Sequence, residues 1–404
     1  MRIGVIGLGY VGLPLARSLS RKYKVVGYDI SPERISYIVN SSDQNQILYT
    51  DNEEDLNGVD VFIVTVPTPV NKKNLPDMSP LENASRLIGN HLSSNSIVIY
   101  ESTVYPGATE EFCVPILESI SELVLNKDFS VAYSPERIDP GNKVNTLENT
   151  VKLISASNEK ALKIVHDIYS SVVTNASLHI CESIKVCEAA KAVENIQRDV
   201  NIALMNELSI IFNHLDIPTR AVIDAAATKW NFGKYHPGLV GGHCIGVDPY
   251  YVIYKANAVG VDAKLIRSSR EINDGMVEYS LSRILSDIKT IKKLNEIEDL
   301  KILFMGITFK ENCDDCRNSQ PLKLAKKLHI YNKNITIYDP WVENFSSESF
   351  ETLKKMPSDF SVFDVVIKAV NHKDFANLKN NINSDNLIFF DLTNSLNSDG
   401  FSLH

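Results

Sequence analysis

The first part of the chain alternates short β-branched runs with helical patterns. "RIGVIG" (2–7), "YKVVGYD" (23–29), "VDVFIVTVP" (59–67), "SIVIYEST" (96–103) and "FSVAYSPE" (129–136) are apolar runs rich in Val and Ile. Such runs, separated by helical stretches, predict a parallel sheet covered on both faces. The texture changes from Ser183 to Leu215, where "SIKVCEAAKAVENIQRDVNIALMNELSIIFNHL" has neither Pro nor Gly and its apolar residues recur at three and four positions. That period predicts one long amphipathic helix. At ~1.5 Å of rise per residue it would run on the order of 50 Å, enough to bridge two domains. After a helical middle region the alternation returns in "LKILFMGITF" (300–309), "ITIYDPW" (335–341), "VFDVVIKAV" (362–370) and "NLIFFDL" (386–392). These predict a second, smaller doubly wound domain. "LNKDF", "NSSDQNQ" and the stretch 342–358 read as surface loops or short helices, and no short-period repeat is present.

Composition narrows the classes. A chain of 404 residues holds two or three domains at roughly 100 to 200 residues each. Its 41 basic and 50 acidic residues give a formal charge of −9, spread without a basic block, which excludes nucleic acid as the expected partner. The cysteines Cys113, Cys181, Cys187, Cys244, Cys313 and Cys316 are too few for a disulfide framework in so large a chain, and predict a reducing cytoplasm. The apolar start "MRIGVIGLGYVGLPLARSL" has glycine breaks and no clear cleavage site, so it does not read as a signal peptide. No other apolar run approaches the ~20 residues that span a bilayer, so membrane insertion is not expected.

"GLGYVG" places Gly7, Gly9 and Gly12 in G-x-G-x-x-G spacing directly after a strand and at the start of an apolar helical pattern. The first glycine permits the tight turn, the second lets backbone approach a pyrophosphate, and the third allows close helix–strand packing. Tyr10 and Val11 complete that turn. Asp29 closes the second strand roughly 20 residues on, where a carboxylate bonds the adenosine ribose hydroxyls and repels the extra phosphate of NADP. NAD is the expected cofactor. The alternative is a Rossmann-like domain without nucleotide. Arg34 either flanks the adenine or is a solvated helix residue. Thr65, Thr68, Ser102 and Thr103 lie in "TVPTP" and "EST" at the carboxyl edge, and are candidate ribose and nicotinamide contacts or turn caps. The fold class is therefore α/β: two Rossmann-like doubly wound parallel-sheet domains joined by a central helical region with one long helix. The expected divisions are 1–182, 183–294 and 295–404.

Further polar groups stand out. Lys191 and Asn195, spaced (i, i+4), share one face of the long helix and can aim an ammonium and an amide at one point, an arrangement suited to an oxyanion. The competing reading makes Lys191 a solvated lysine paired with Glu188 or Glu194. In "GGHCIGVDPYY" (241–251), Cys244 sits among glycines, beside His243 and four residues before Asp248. A free cytosolic cysteine is usually inert core, yet glycines strip bulk from this one, and a thiol near cationic groups forms a nucleophilic thiolate more readily. Glu136 follows a strand in "YSPER".

Taken in order, the glycine fingerprint, "VPTP", "EST", "SPER", "EAAKAVEN", "GGHC" and "GITFKENCDDCRNS" resemble the UDP-glucose/GDP-mannose dehydrogenase family over nearly the whole length. "TKWNFGKYHPGLVGGHCIGVDPYY" resembles its UDP-N-acetylhexosamine 6-dehydrogenase branch, which serves bacterial surface polysaccharides; the UDP-glucose and GDP-mannose branches usually have serine before the cysteine. The resemblance implies four-electron oxidation of UDP-N-acetylglucosamine or its galacto epimer at C6, with UDP-N-acetylmannosamine or UDP-glucose as alternatives. It makes Cys244 the nucleophile, through a thiohemiacetal and a thioester. Lys191 and Asn195 stabilise the oxyanions, and Asp248 and Glu136 share the ordering of water and the base role, in either order. His243 either tunes Cys244 or shapes the sugar pocket. Glu136, Arg137, Lys191, Asn195, Tyr235, Gly238, Gly241, His243, Phe309 and Lys310 are the implied substrate contacts, with the glycine amides of 235–242 as phosphate donors, and Arg317 reaches the dinucleotide. A cytoplasmic homodimer through the long helix is implied as well.

Two departures and two rivals remain. UDP-glucose relatives place an arginine near the end, where this chain reads "FFDLTNS". Cys313 and Cys316 have metal-ligand spacing without a second pair, so no metal is expected. A two-electron hydroxyacid-type dehydrogenase would share the fingerprint and lysine but need no cysteine. A non-catalytic nucleotide-sugar-binding protein would lack Cys244 or Lys191.

Overall fold

The computed structural model describes all residues except 42–46, 139–144, 343, 344, 346, 348, 379–381, 383–386, 394–400, 403 and 404. The chain folds into two compact units, one of 1–194 with 250–262, the other of 195–249 with 263–404.

In the first unit, strands β1 (Arg2–Ile6), β2 (Lys24–Tyr28), β3 (Ile47–Thr50), β4 (Val61–Val64), β5 (Ile97–Tyr100), β6 (Ser130–Tyr133), β7 (Lys152–Ala156) and β8 (Leu178–Ile180) form one sheet, in the order β3-β2-β1-β4-β5-β6-β7-β8. All pairs are parallel except β6 with β7, a departure from the expected parallel sheet. The chain passes from β6 to β7 without a crossover helix among its described residues, and a parallel return needs one. Helices α1 (Gly12–Leu19), α2 (Pro32–Ser41), α3 (Ser79–His91), α4 (Val114–Ser121) and α5 (Glu159–Ser170) complete the layers. Four residues in a row are buried in β4 and again in β5, which is why those strands read as unbroken apolar runs. Val61, Ile63, Ile97 and Ile99 from these strands join Leu15, Ala16, Leu19, Val165 and Ile168 in one core. Strand order reverses between β1 and β4, and ligands of open α/β sheets collect at such a point.

The long helix is α6 (Ile184–His214), with its residues through Glu194 in the first unit and from Asn195 in the second. Helices α7 (Thr219–Ala226), α8 (Asp248–Ala258) and α9 (Lys264–Lys292) follow. The last sheet is wholly parallel: β9 (Ile302–Met305), β10 (Ile335–Tyr338), β11 (Glu351–Leu353), β12 (Val365–Lys368), β13 (Ile388–Asp391) and β14 (Phe401–Ser402), ordered β11-β10-β9-β12-β13-β14. Val277, Leu281, Ile284 and Ile288 of α9 and Leu324 and Leu328 of α10 (Gln320–Leu328) share a core with it. Strand β11 falls where a loop or short helix is expected; three residues with two exposed carry too little pattern to reveal it. The stretch "NSSDQNQ" lies mostly outside the described residues. No helix among the described residues is long and apolar enough to cross a membrane.

One local device occurs in both sheets. Gly7 donates its amide to the Tyr28 carbonyl at 2.8 Å and Leu8 donates to Asp29 Oδ2 at 2.8 Å; Gly306 donates to Tyr338 at 2.9 Å and Ile307 to Asp339 Oδ2 at 2.7 Å. In the second copy, His372 Nε2 also lies 3.2 Å from that Asp339 oxygen and both residues are buried, whereas Asp29 keeps part of its surface open.

Candidate active site

The glycine turn has the shape its spacing predicts. Gly7 sits at φ +95°, a conformation costly for other residues. No atom lies within 4 Å of where a Gly9 Cβ would fall, leaving backbone open to a ligand, while a Gly12 Cβ would fall 1.9 Å from the Gly7 carbonyl oxygen. Tyr10 is exposed, and Val11 stands at the N-cap of α1 without a side-chain cap. Asp29 braces this turn through Leu8 and accepts the Ser31 amide at 3.0 Å. Arg34 is not a free surface residue: its Nε donates to the Leu8 carbonyl at 2.9 Å. These residues fit a dinucleotide.

The carboxyl-edge hydroxyls hold loops together. Thr65 donates to the Gly7 carbonyl at 2.7 Å, Thr68 to Thr103 at 2.7 Å and Ser102 to Val66 at 2.6 Å. Their protons are used in turn closure, so toward a cofactor they offer lone pairs.

Glu136, in the first unit, anchors Oε1 on the amides of Arg137 and Ile138 at 2.6 Å each and places Oε2 3.7 Å from Lys152 Nζ. Arg137 donates to the Val151 carbonyl and pairs with Glu194 at 2.8 Å. Glu188, one turn before Lys191, accepts the Gly107 and Thr109 amides at 2.5 and 2.9 Å. Both expected partners of Lys191 are thus engaged elsewhere. Lys191 itself is 7% exposed and, among the described residues, makes no hydrogen bond or ion pair, so it is not a solvated surface lysine. Burial pushes the Glu188 carboxyl up to about 7.

In the second unit, Asn195 donates Nδ2 to Asp248 Oδ2 at 2.5 Å, and the Asp248 amide donates to the Cys244 carbonyl at 2.8 Å. Three expected residues thereby meet: the turn 244–248 opens α8 with Asp248, and α6 supplies Asn195. Cys244 is the exposed cysteine; Cys113, Cys181, Cys187 and Cys313 are buried and Cys316 half-buried. The inert-core reading therefore fails for Cys244.

The glycines before it are needed for contact. A Cβ on Gly241 would fall 2.6 Å from the Asn318 carbonyl oxygen, and one on Gly242, at φ +83°, 2.6 Å from the Phe309 ring. Gly242 and Asn318 exchange two bonds, Gly242 N to the Asn318 carbonyl at 3.1 Å and Asn318 Nδ2 to the Gly242 carbonyl at 2.7 Å. Gly238 does the same with the Asn206 side chain at 2.8 and 3.1 Å, and Tyr235 accepts from Gln197 at 2.7 Å. The Gly238 and Gly242 amides, two of the phosphate donors expected along 235–242, are thus already bonded within the protein. His243 lies edge-on to Phe309 with ring centroids 6.4 Å apart and 3.9 Å from Asp315; burial first, then the Arg317 charge, holds its imidazole below the ordinary range. Both causes disfavour the imidazolium form beside Cys244. Lys310 Nζ stands 5.9 Å from the Phe309 ring centroid, and Arg317 is exposed and paired with Asp315 at 2.7 Å.

Domain comparisons decide the relationship. Residues 36–173 match the NAD binding domain of the UDP-glucose/GDP-mannose dehydrogenase family, 185–275 its central domain and 303–398 its UDP binding domain. The chain belongs to that family. This dehydrogenase is 48% identical over 412 residues to Protein CapL of Staphylococcus aureus, covering 98% of this chain and 96% of that protein. It is 45% identical over 392 residues to a UDP-N-acetyl-D-glucosamine 6-dehydrogenase of Pseudomonas aeruginosa, covering 94% and 92%. Among solved structures, a UDP-D-ManNAc dehydrogenase from Pyrococcus horikoshii superposes with a TM-score of 0.85 at 32% identity, covering 97% and 95%. NAD is the cofactor of the family's first domain, which the glycine turn fits.

Sequence reading of the dehydrogenase missed the side chains that hold the loop leading to Cys244. Asn206 on α6 bonds Asn273 of α9 at 2.8 Å, Asn273 bonds Asp199 at 2.7 Å, and Arg270 pairs with Asp199 at 2.5 Å; all four are buried. Polar residues on the apolar face of a long helix were the available signal for Asp199 and Asn206.

Proposed function

We propose that the chain oxidises UDP-N-acetylglucosamine, or its galacto epimer, at C6 to the uronic acid for a bacterial surface polysaccharide. The reading rests above all on one observation: an exposed Cys244 whose carbonyl takes the Asp248 amide while Asp248 takes the Asn195 amide. A relative named UDP-N-acetyl-D-glucosamine 6-dehydrogenase at 45% identity supports this sugar over the manno epimer, whose named dehydrogenases stand at 33% and below. Gly7, Gly9, Gly12 and Asp29 would hold NAD⁺, which would supply the acceptor for the hydrides that leave C6.

Cys244 adds to the C6 aldehyde to form a thiohemiacetal, because an aldehyde has no second hydride to give until a nucleophile makes it tetrahedral. Loss of that hydride leaves a thioester, and water returns the thiol and releases the acid. Lys191 and Asn195 stabilise the oxyanions. Asp248 orders water, and Glu136 takes its proton during thioester hydrolysis. Arg137, Tyr235, Gly238, Gly241, His243, Phe309 and Lys310 bind the nucleotide sugar, and Tyr10, Val11, Arg34, Thr65, Thr68, Ser102, Thr103 and Arg317 complete the cofactor contacts. The three-domain division and a cytoplasmic homodimer belong to the same reading; exposed Val193, Leu204 and Ile211 on α6 offer apolar surface for a second copy.

Purified protein incubated with NAD⁺ and a panel of UDP sugars tests this, with NADH followed by absorbance. Two NADH per N-acetylhexosamine, and no acid from Cys244→Ala, are expected. One NADH per sugar, or acid formation by Cys244→Ala at the wild-type rate, overturns it.

A further inference from the structure

At the carboxyl edge of the first unit's sheet lies a buried cluster of ionisable side chains to which no role has been given. Glu101 follows β5, Lys152 opens β7 and Tyr169 comes from α5. Lys152 Nζ donates to Glu101 Oε2 at 3.0 Å and to the Pro135 carbonyl at 3.2 Å, and stands 4.9 Å from the Tyr169 ring centroid. Tyr169 donates its hydroxyl to the other oxygen of Glu101. Side-chain exposure is 4% for Lys152, 0% for Glu101 and 14% for Glu136.

Charge and bonding in the cluster are asymmetric. One ammonium faces two carboxylates, and Glu101 has both oxygens bonded, one by Lys152 and one by Tyr169. Glu136 has one oxygen on two backbone amides, while the other faces the ammonium at 3.7 Å, within its field but beyond hydrogen-bond distance. Lys152 also grips the Pro135 carbonyl, in the peptide that leads into Glu136, so backbone and carboxylate are referenced to one cation. Burial works against the charge on Lys152, but the Glu101 and Glu136 carboxylates outweigh it and the group ends above its ordinary value. Two other titratable groups among the described residues are engaged or neutral. Arg137 is paired with Glu194 of α6, and Cys187 of α6 is kept as the neutral thiol by burial.

We propose that Lys152, clamped by Glu101 and Tyr169, is the positioning residue for Glu136, holding its carboxylate so that one oxygen stays unbonded among the described residues. The proposal rests on the reading of Glu136 as the hydrolytic base.

The test is a carboxyl titration by infrared difference spectroscopy of ¹³C-glutamate protein, with the Glu136 band identified by its loss in Glu136→Gln. Lys152→Met is expected to move that titration up and Lys152→Arg to restore most of the change. The acid limb of thioester hydrolysis in single turnover should move with it. If Lys152→Met alone does not fold, because Glu101 is left as an orphaned buried charge, the comparison is made between Glu101→Gln and Glu101→Gln/Lys152→Met, where the same upward shift is expected. A Glu136 titration unmoved by loss of Lys152 overturns the proposal even if Glu136→Gln blocks hydrolysis. Wild-type hydrolysis in Glu136→Gln overturns the base assignment, and with it the purpose assigned to Lys152, whatever the titration does.

Discussion

Gly242→Ala puts a direct load on the loop that carries Cys244. Two costs follow from the geometry. A residue with a Cβ at φ +83° pays roughly 1–2 kcal/mol for the left-handed backbone. The added methyl would lie 2.6 Å from Phe309 Cδ2 and 2.8 Å from Cε2, so the ring must turn or the loop must lift; forcing such overpacking costs about 1–3 kcal/mol. Lifting the loop breaks the paired bonds with Asn318, so neither escape is free. The sum of ~2–5 kcal/mol predicts a fall in kcat/KM for the UDP sugar on the order of 30- to 5000-fold. NAD affinity, which rests on Gly7–Gly12 and Asp29, should be unchanged by calorimetry. A double-mutant cycle by denaturant unfolding separates the two costs: in a Phe309→Ala background only the backbone cost should remain, leaving a coupling of about 1 kcal/mol or more. A Gly242→Ala enzyme with wild-type kcat/KM, or a cycle with zero coupling, would refute the reasoning.

The same argument applied to the cofactor turn makes Gly12→Ala a loss of NAD affinity of at least about 100-fold with UDP-sugar binding retained, since the new Cβ would meet the Gly7 carbonyl at 1.9 Å and Thr65 Oγ1 at 2.4 Å; calorimetric titration with each ligand checks it. Glu188 predicts a pH effect on stability. Its folded-state carboxyl is raised to about 7 from an ordinary 4.5, so its contribution is fully present below the ordinary value and is lost as pH rises through about 7. The loss is on the order of 3 kcal/mol, and Glu188→Gln should flatten the difference between denaturant unfolding at pH 4.5 and pH 8.

Features that depend on neighbours along the chain were legible before any fold was known. Gly7, Gly9, Gly12 and Asp29 could be read because a turn between a strand and a helix is a local object, and α6 because its period runs unbroken for many turns. Cys244 and Asp248 stood out as a short motif, and Asp248 bonds the Cys244 carbonyl within one turn. The side chains that hold those motifs in place emerge only on packing. Asn318 reaches Gly242 across 76 positions, Asn206 reaches Asn273 across 67, and Lys152 reaches Glu101 across 51. Packing also sets the antiparallel seam between β6 and β7, and it commits the hydroxyl protons of Thr65, Thr68 and Ser102 to loop closure. The difference is one of range. Periodicity and spacing record where a chain can bend and which face it buries, whereas a buried amide or ammonium is defined by its partner, and that partner is brought near only when the sheet and helices pack.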